Sequence, residues 1–268
     1  MNPRTAFISL CILLFAGCDS DEGRDGSNSG NRRITEIVGQ CEEVYSGTMY
    51  RQNSLHRFFY DDEGRLCRWI HTTSSTYDGL AEYDFRIAYE SDAHLDVSGS
   101  YTWDSTTGKE IAAAIGLDPA GRIIRIDMDN DRYTYRYSDG LLSNVTDPYS
   151  TADYIWTNGD LTAIHYSLSS ATETGSEYST YGSERNIANL ELNYLAYETE
   201  WFSLPADQLS SMLGAAGLFG RSAHLVVMNS DKNRRCDIRW TFDDRGYPTG
   251  WISEYANYRY RHTIYYND

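Results

Sequence analysis

The sequence has few prolines, few cationic side chains and no long apolar run. Proline accounts for 5 of 268 residues and the apolar fraction is 41%, which together exclude a collagen-like or disordered chain. Lys and Arg number 23 against 39 Asp and Glu, giving a net charge of −16. Because phosphate contacts need clustered cations, we predict no nucleic-acid partner.

Known catalytic signatures are also missing. The sequence contains no G-x-S-x-G elbow, no H-E-x-x-H, no Walker loop and no G-x-G-x-x-G after a strand. Its six histidines are scattered, and His262 is expected to be a packed imidazole on the last strand. We therefore predict a protein that is not an enzyme and uses no cofactor.

The main apolar stretch lies at the N-terminus. Ala6–Gly17 is too short for a hydrocarbon core of ~30 Å, which needs roughly 20 residues, and is typical of a signal peptide. It ends in Leu14-Phe15-Ala16-Gly17-Cys18, which resembles a bacterial lipobox. This resemblance predicts a signal peptide over 1–17 and acylation of Cys18, so that the partner of the anchor is outer-membrane lipid.

The segment behind Cys18 is acidic and polar. Asp19, Asp21 and Glu22 resemble the surface-export signal of Bacteroides-type lipoproteins. Residues 18–33 are rich in Gly, Ser, Asn and Asp and are expected to form a flexible tether. The predicted location is the cell-surface side of the outer membrane, with the periplasmic side as the alternative.

Cysteine usage sets few constraints beyond this. After Cys11 leaves with the signal peptide and Cys18 takes lipid, Cys41, Cys67 and Cys236 remain. An odd number permits one disulfide at most, and the missing C-x-x-C argues against a zinc or thioredoxin-type site. Whether two of them form a disulfide stays open.

The rest of the chain alternates apolar and polar residues, as half-buried strands do. Examples are Tyr83/Phe85/Ile87/Tyr89, Tyr133/Tyr135/Tyr137, Ile238/Trp240/Phe242 and Tyr258/Tyr260/His262/Ile264/Tyr266. Turns of the Asp-x-x-Gly type recur between strands, with Gly64, Gly121 and Gly246 expected at positive φ. Residues 34–268 are therefore predicted to form one antiparallel all-β domain, a meander of hairpins.

One segment departs from this pattern. Leu204–Gly220 predicts a short helix near 205–216 with a glycine-rich exit. Its apolar residues Leu209, Met212 and Leu213 are expected to cover an end or edge of the sheet.

Two stretches suggest a family. Tyr60-Asp61-Asp62-Glu63-Gly64-Arg65-Leu66 resembles the turn of the tyrosine-aspartate repeats of secreted bacterial shell proteins. Leu218–Leu225 followed by Arg239–Thr249 resembles a Bacteroides lipoprotein domain family of unknown function with a porin-like fold. The resemblance covers roughly Ile34 to Asp268 and implies a meander that curls into a half-open, porin-like barrel. It implies no activity.

Two residue sets are candidate sites. Asp127, Asp129 and Asp131 alternate as oxygen ligands for Ca²⁺ would on one strand face, although a hairpin turn explains them more simply. Trp69, Trp103, Trp156 and Trp251 are candidates for a platform that binds sugar or peptide, with a core role as the simpler explanation.

The sequence leaves two alternatives for the function of the protein. The first is a lipid-anchored surface lipoprotein with a non-enzymatic binding or scaffold role, whose partner is a glycan or a surface protein. The second is a glycan hydrolase that uses a pair of carboxylates. Two buried, inward carboxylates in a Trp-lined cleft would favour the hydrolase, whereas an interior packed with Tyr and Phe would favour the scaffold.

Overall fold

The computed structural model describes residues 32–45, 48–76, 79–103, 108–168, 174–196, 207–255 and 258–267. These residues form 16 strands and two helices. The strands are β1 Ile34–Tyr45, β2 Thr48–Tyr60, β3 Leu66–Ser75, β4 Gly79–Ser91, β5 His94–Trp103, β6 Lys109–Leu117, β7 Ile123–Met128, β8 Asp131–Ser138, β9 Leu141–Thr146, β10 Ser150–Thr157, β11 Asp160–Leu168, β12 Thr174–Arg185, β13 His224–Ser230, β14 Arg235–Phe242, β15 Pro248–Glu254 and β16 Arg259–Tyr266. The helices are α1 Leu192–Ala196 and α2 Asp207–Ala215.

Each strand pairs antiparallel with its neighbours in the chain, and the sheet closes on itself. This confirms the all-β meander, but the barrel is not half-open. β1 and β16 pair from Ile34↔Tyr266 to Glu42↔Arg259, so the first and last strands complete the wall and leave no edge there.

The wall is apolar inside and charged outside. Inward residues such as Phe85, Ile115 and Trp251 are at most 1% exposed. The outer face carries ion pairs between neighbouring strands, including Arg68–Asp84 at 2.6 Å and Arg239–Glu254 at 2.7 Å. The period of two therefore divides each strand between an interior core and a polar outer surface.

The Asp-x-x-Gly turns lie together at one end of the barrel, called here the lower end. Gly64, Gly121 and Gly246 have φ of 82°, 76° and 83°, which confirms the predicted positive φ. Asp118 shows how the turn is held, because its carboxylate accepts hydrogen bonds from the backbone N–H groups of Ala120 and Arg122. These turns reverse the chain at the start of the odd-numbered strands.

Aromatic side chains stabilise the lower end through one repeated type of hydrogen bond. A hydroxyl or indole N–H at the lower end of an even-numbered strand donates to a carbonyl near the start of the preceding odd-numbered strand. Tyr137 Oη, for example, donates to the carbonyl of Ile123 at 2.9 Å. The same contact is made by Tyr60, Tyr89, Trp156, Tyr181, Trp240 and Tyr266.

The described residues between β12 and β13, 186–196 and 207–223, called here the connector, close the lower end. The connector contains α1 and α2, and its described residues contact strands on different sides of the barrel. Asn189 bonds to Ile34 N and Tyr60 Oη, whereas Phe219 stacks on Tyr135 of β8 at 5.2 Å. A segment that contacts β1, β2 and β8 must cross the lumen, so the connector plugs the lower half.

The predicted helix near 205–216 is confirmed by α2, and Leu209, Met212 and Leu213 are buried. Residues 204–206 lie outside the described residues, and α1 was not predicted. Neither described helix has the length and apolar content required to cross a membrane. Cys41, Cys67 and Cys236 form no disulfide with one another.

Candidate functional site

Above the connector, the inner wall carries a row of rings across β2 to β5. His56, His71, Tyr83 and Tyr101 are partners in register on consecutive strands. Their ring centroids are 4.1, 5.8 and 4.7 Å apart along the row, and the rings are stacked. Tyr83 and Tyr101 are only half-buried, so solvent reaches the inner wall at this level.

Trp69 belongs to the same stack, one step closer to the connector. Its ring is parallel to those of His56, His71 and Phe85 within 20°, with centroids 5.5 to 6.2 Å away. Because neighbouring rings cover one another's faces, these rings point their edges towards the interior. The edge of an indole or imidazole carries its nitrogen atoms, so the wall offers hydrogen bonds rather than free ring faces.

A second ring cluster lies on β15 and β16. His262 stacks on Trp251 at 4.1 Å and is 3% exposed, which confirms the predicted packed imidazole. Gly39 separates His262 from Ser54, and a Cβ at this position would lie closer than 3.0 Å to both side chains. Glycine in β1 therefore lets side chains from β16 and β2 meet, joining the two ring clusters across one strand.

Several buried polar groups on this inner wall have no partner among the described residues. The indole N–H groups of Trp69 and Trp251 have none, and both side chains are 1% exposed. The Ser253 hydroxyl lies beside the weakly polar Cys236 thiol, with which it makes a side-chain hydrogen bond. Each unpartnered group costs about 1–3 kcal/mol, which a fold seldom retains without use.

The four candidate tryptophans do not form one exposed platform. Trp69 and Trp251 are buried with their faces stacked, and Trp156 donates its N–H to the carbonyl of Leu142 at 2.7 Å. Trp103 alone of the four is well exposed, at 40%, and contacts Tyr101 edge-on at 6.5 Å. The alternating pattern gave the strand positions but not which ring faces would be covered.

The three aspartates considered for calcium do not assemble a site. Asp127 pairs with Arg132 at 2.6 Å and Arg125 at 2.9 Å, and Asp129 pairs with Lys109 at 3.1 Å. Asp129 has φ of 54°, as in a tight turn. Within the described ranges no group of three or more His, Cys, Asp or Glu side chains is placed to hold a metal ion.

Two buried glutamates were not predicted. Glu191 in the connector accepts hydrogen bonds from Asn193 N, Ser222 N and Asn186 Nδ2. Burial raises the pKa of Glu191 to about 7, although these donors and Arg221 act in the opposite direction. Its contacts identify Glu191 as the residue that holds the two ends of the connector together.

Glu177 is the second buried acid and lies on the inner face of β12, paired with Ile164 of β11. It is 9% exposed, and its Oε2 has no hydrogen-bond partner among the described residues. Burial, with a smaller contribution from Asp231, raises the pKa of Glu177 to about 8. The side chain is therefore mainly a neutral carboxylic acid at pH 7.

The barrel is similar to solved structures of porin-like proteins. One from Bacteroides uniformis ATCC 8492 has a TM-score of 0.59 and 16% identity, covering 87% of this chain and 96% of that chain. Another, from Bacteroides vulgatus ATCC 8482, has a TM-score of 0.43 and 14% identity, covering 88% and 98%. The first likeness supports the barrel fold and nothing further. The sequence matches no protein-family model and no curated protein.

Proposed function

We propose that this chain is a lipid-anchored outer-membrane lipoprotein of the Bacteroides type that binds a ligand inside its barrel and catalyses no reaction. The observation that carries the binding role is the set of unpartnered indole N–H groups on the inner wall. Cys18 and the acidic residues Asp19, Asp21 and Glu22 lie outside the described residues, so anchoring and surface export rest on the sequence.

The charged outer face favours a barrel that is surrounded by water and not by lipid. A membrane-spanning barrel needs an apolar outer band of ~25 Å. Here Arg57–Glu36, Arg68–Asp84 and Arg239–Glu254 pair on the outer face within the strands. Lipid attached through Cys18 would then be the membrane contact, and the several acyl chains of a lipoprotein suffice for stable anchoring.

Chain direction orients the barrel. β1 begins at Ile34, at the plugged lower end, so the tether attaches there. The 15 residues between Cys18 and Ile34 span at most about 50 Å at ~3.3 Å per residue. The closed end would therefore face the membrane, and the half-buried tyrosines of the inner wall would face away from it.

A hydrolase with paired carboxylates has less support. Glu177 and Glu191 are both buried, which is the feature expected of that alternative. However, the Glu191 carboxylate accepts hydrogen bonds from N–H donors of the connector. Glu177 is therefore left without a second acid available to act with it. Glycosidases of this type need two carboxyl groups ~5 to 10 Å apart across the sugar.

Anchoring is tested by Cys18→Ala. We expect the variant to lose palmitate incorporation and to move from the membrane to the soluble fraction, because no acyl chain can be attached. Cys67→Ala, which changes a cysteine within the barrel, is the control and should remain labelled and membrane-bound. Persistent labelling of Cys18→Ala would show that the lipobox assignment is wrong.

Binding is tested by a glycan array probed with residues 34–268, which contain the whole closed barrel. We expect saturable binding to a restricted set of glycans. No binding to glycans, together with release of product from any of them, would favour the hydrolase.

A further inference from the structure

Four tryptophans of the wall differ in how their indole N–H groups are used. Trp156 and Trp240 each donate their indole N–H to a main-chain carbonyl, Leu142 and Val226 respectively, at 2.7 Å. The N–H groups of Trp69 and Trp251, which are more deeply buried, have no acceptor among the described residues. An indole nitrogen can only donate, so each of these two groups can be satisfied only by an acceptor from outside the described residues.

The two donors share one arc of the inner wall. Trp251 is on β15 and Trp69 on β3, with β16, β1 and β2 between them. Four strand steps of ~4.8 Å separate them by about 19 Å along the wall, and less across the lumen because the wall is curved. A ligand of two linked units, rather than a single small group, is the size that bridges them.

The side chains around Trp69 and Trp251 indicate an uncharged acceptor. Among the residues whose side chains are described, the inner face of these five strands carries rings, hydroxyls, the Cys41 thiol, the Gln52 amide and aliphatic groups, but no Lys, Arg, Asp or Glu side chain. An anion placed there would find no cationic side chain to offset its lost hydration. A neutral amide carbonyl oxygen accepts from an indole N–H without that cost.

We propose that the lumen binds a short glycan whose acetamido carbonyl oxygens accept hydrogen bonds from Trp69 Nε1 and Trp251 Nε1. This inference rests on the binding function proposed above. The neighbouring Ser253, His71 and His262 side chains can both donate and accept, which suits sugar hydroxyl groups. The sugar binds against ring edges, because the ring faces are stacked on one another.

Entry requires the inner wall to move. Both N–H groups are covered, so side chains must shift before an oxygen reaches them. Because Tyr83, Tyr101 and Tyr260 are only half-buried, we expect these side chains to move first. Binding is therefore of the induced-fit kind, with a moderate association rate.

The test uses the full mature lipoprotein in detergent and two disaccharides measured by titration calorimetry. N,N′-diacetylchitobiose carries acetamido groups where cellobiose carries hydroxyls, and the β-1,4 backbone is otherwise the same. We expect the acetylated sugar to bind at least tenfold more tightly. Trp251→Phe keeps a ring against His262 but removes the donor, and should weaken its binding about tenfold, the equivalent of one hydrogen bond.

Trp156→Phe is the matched control, since its N–H is already used by Leu142. It should lower the melting temperature more than Trp251→Phe and leave the affinity unchanged. Equal affinity for the two sugars, or equal effects of the two variants on affinity, would overturn the inference. So would binding of an acetylated dipeptide amide in place of either sugar. Array binding to other glycans would then still support the proposed function, whereas no binding at all would contradict both.

Discussion

Gly250→Ala is expected to destabilise the barrel by more than about 3 kcal/mol, because the new methyl group has no space. A Cβ on Gly250 would lie closer than 3.0 Å to the backbone carbonyl oxygen of His262. Backbone cannot rotate away as a side chain can, so β15 and β16 must separate locally. The melting temperature should fall by roughly 6 °C or more, at ~2–4 °C per kcal/mol.

Gly116→Ala is the matched control for this prediction. Gly116 also lies within a strand, β6, but its added Cβ would meet only the Arg125 side chain, at 3.7 Å. Its melting temperature should stay within about 2 °C of the parent protein, consistent with a change that adds ordinary contact. Equal effects at the two glycines would mean that the β15–β16 register is not the one described.

Glu177→Gln is expected to remove part of the pH dependence of stability. The folded pKa of about 8 lies above 4.5, the ordinary value for a glutamate side chain. Between these values the unfolded chain loses the proton first, so the stability of the parent protein falls as pH rises from 4.5 to 8. Below pH 4.5 both states are protonated and the penalty vanishes, whereas above pH 8 it is constant.

Urea unfolding at pH 5, 7 and 8.5 measures this effect. We expect the parent protein to lose about 3 kcal/mol more than Glu177→Gln over that range, at ~1.4 kcal/mol for each pKa unit and allowing for partial relaxation. Glu184→Gln, at an exposed position of the same strand, should behave like the parent. Because Glu191 titrates in all three proteins, their difference isolates Glu177. Parallel curves for Glu177→Gln and the parent would mean that Glu177 is ionised in the folded barrel.

Local features were well predicted from the sequence. Alternation in β4, β8 and β16 gave their inward faces, because the period of two is strict where one face is buried. Asp and Gly at the turns gave positive φ at Gly64 and Gly246, since few other residues adopt it without strain. The glycine-interrupted apolar segment gave α2, although α1, with five residues, carries too weak a periodic signal.

Long-range features could not be predicted in the same way. Barrel closure depends on the pairing of Ile34 with Tyr266, residues that no local pattern connects. β12 has polar residues on both faces, and Tyr178 and Tyr181 are three positions apart, so no strict alternation indicates that Glu177 points inward. Whether an indole N–H finds a carbonyl, as in Trp156, or finds none, as in Trp251, depends on neighbouring strands. The number of aromatic residues can be read from the sequence, but the stacking that covers their ring faces cannot.

A lumenal ligand is tested most directly by the indole N–H resonances of the tryptophans. Selective ¹⁵N labelling and titration with N,N′-diacetylchitobiose should move the Trp69 and Trp251 signals to lower field, as new hydrogen bonds form. The Trp156 signal should remain in place, because its bond to Leu142 is unchanged. Movement confined to the exposed Trp103, or no movement at saturating sugar, would contradict a binding site inside the barrel.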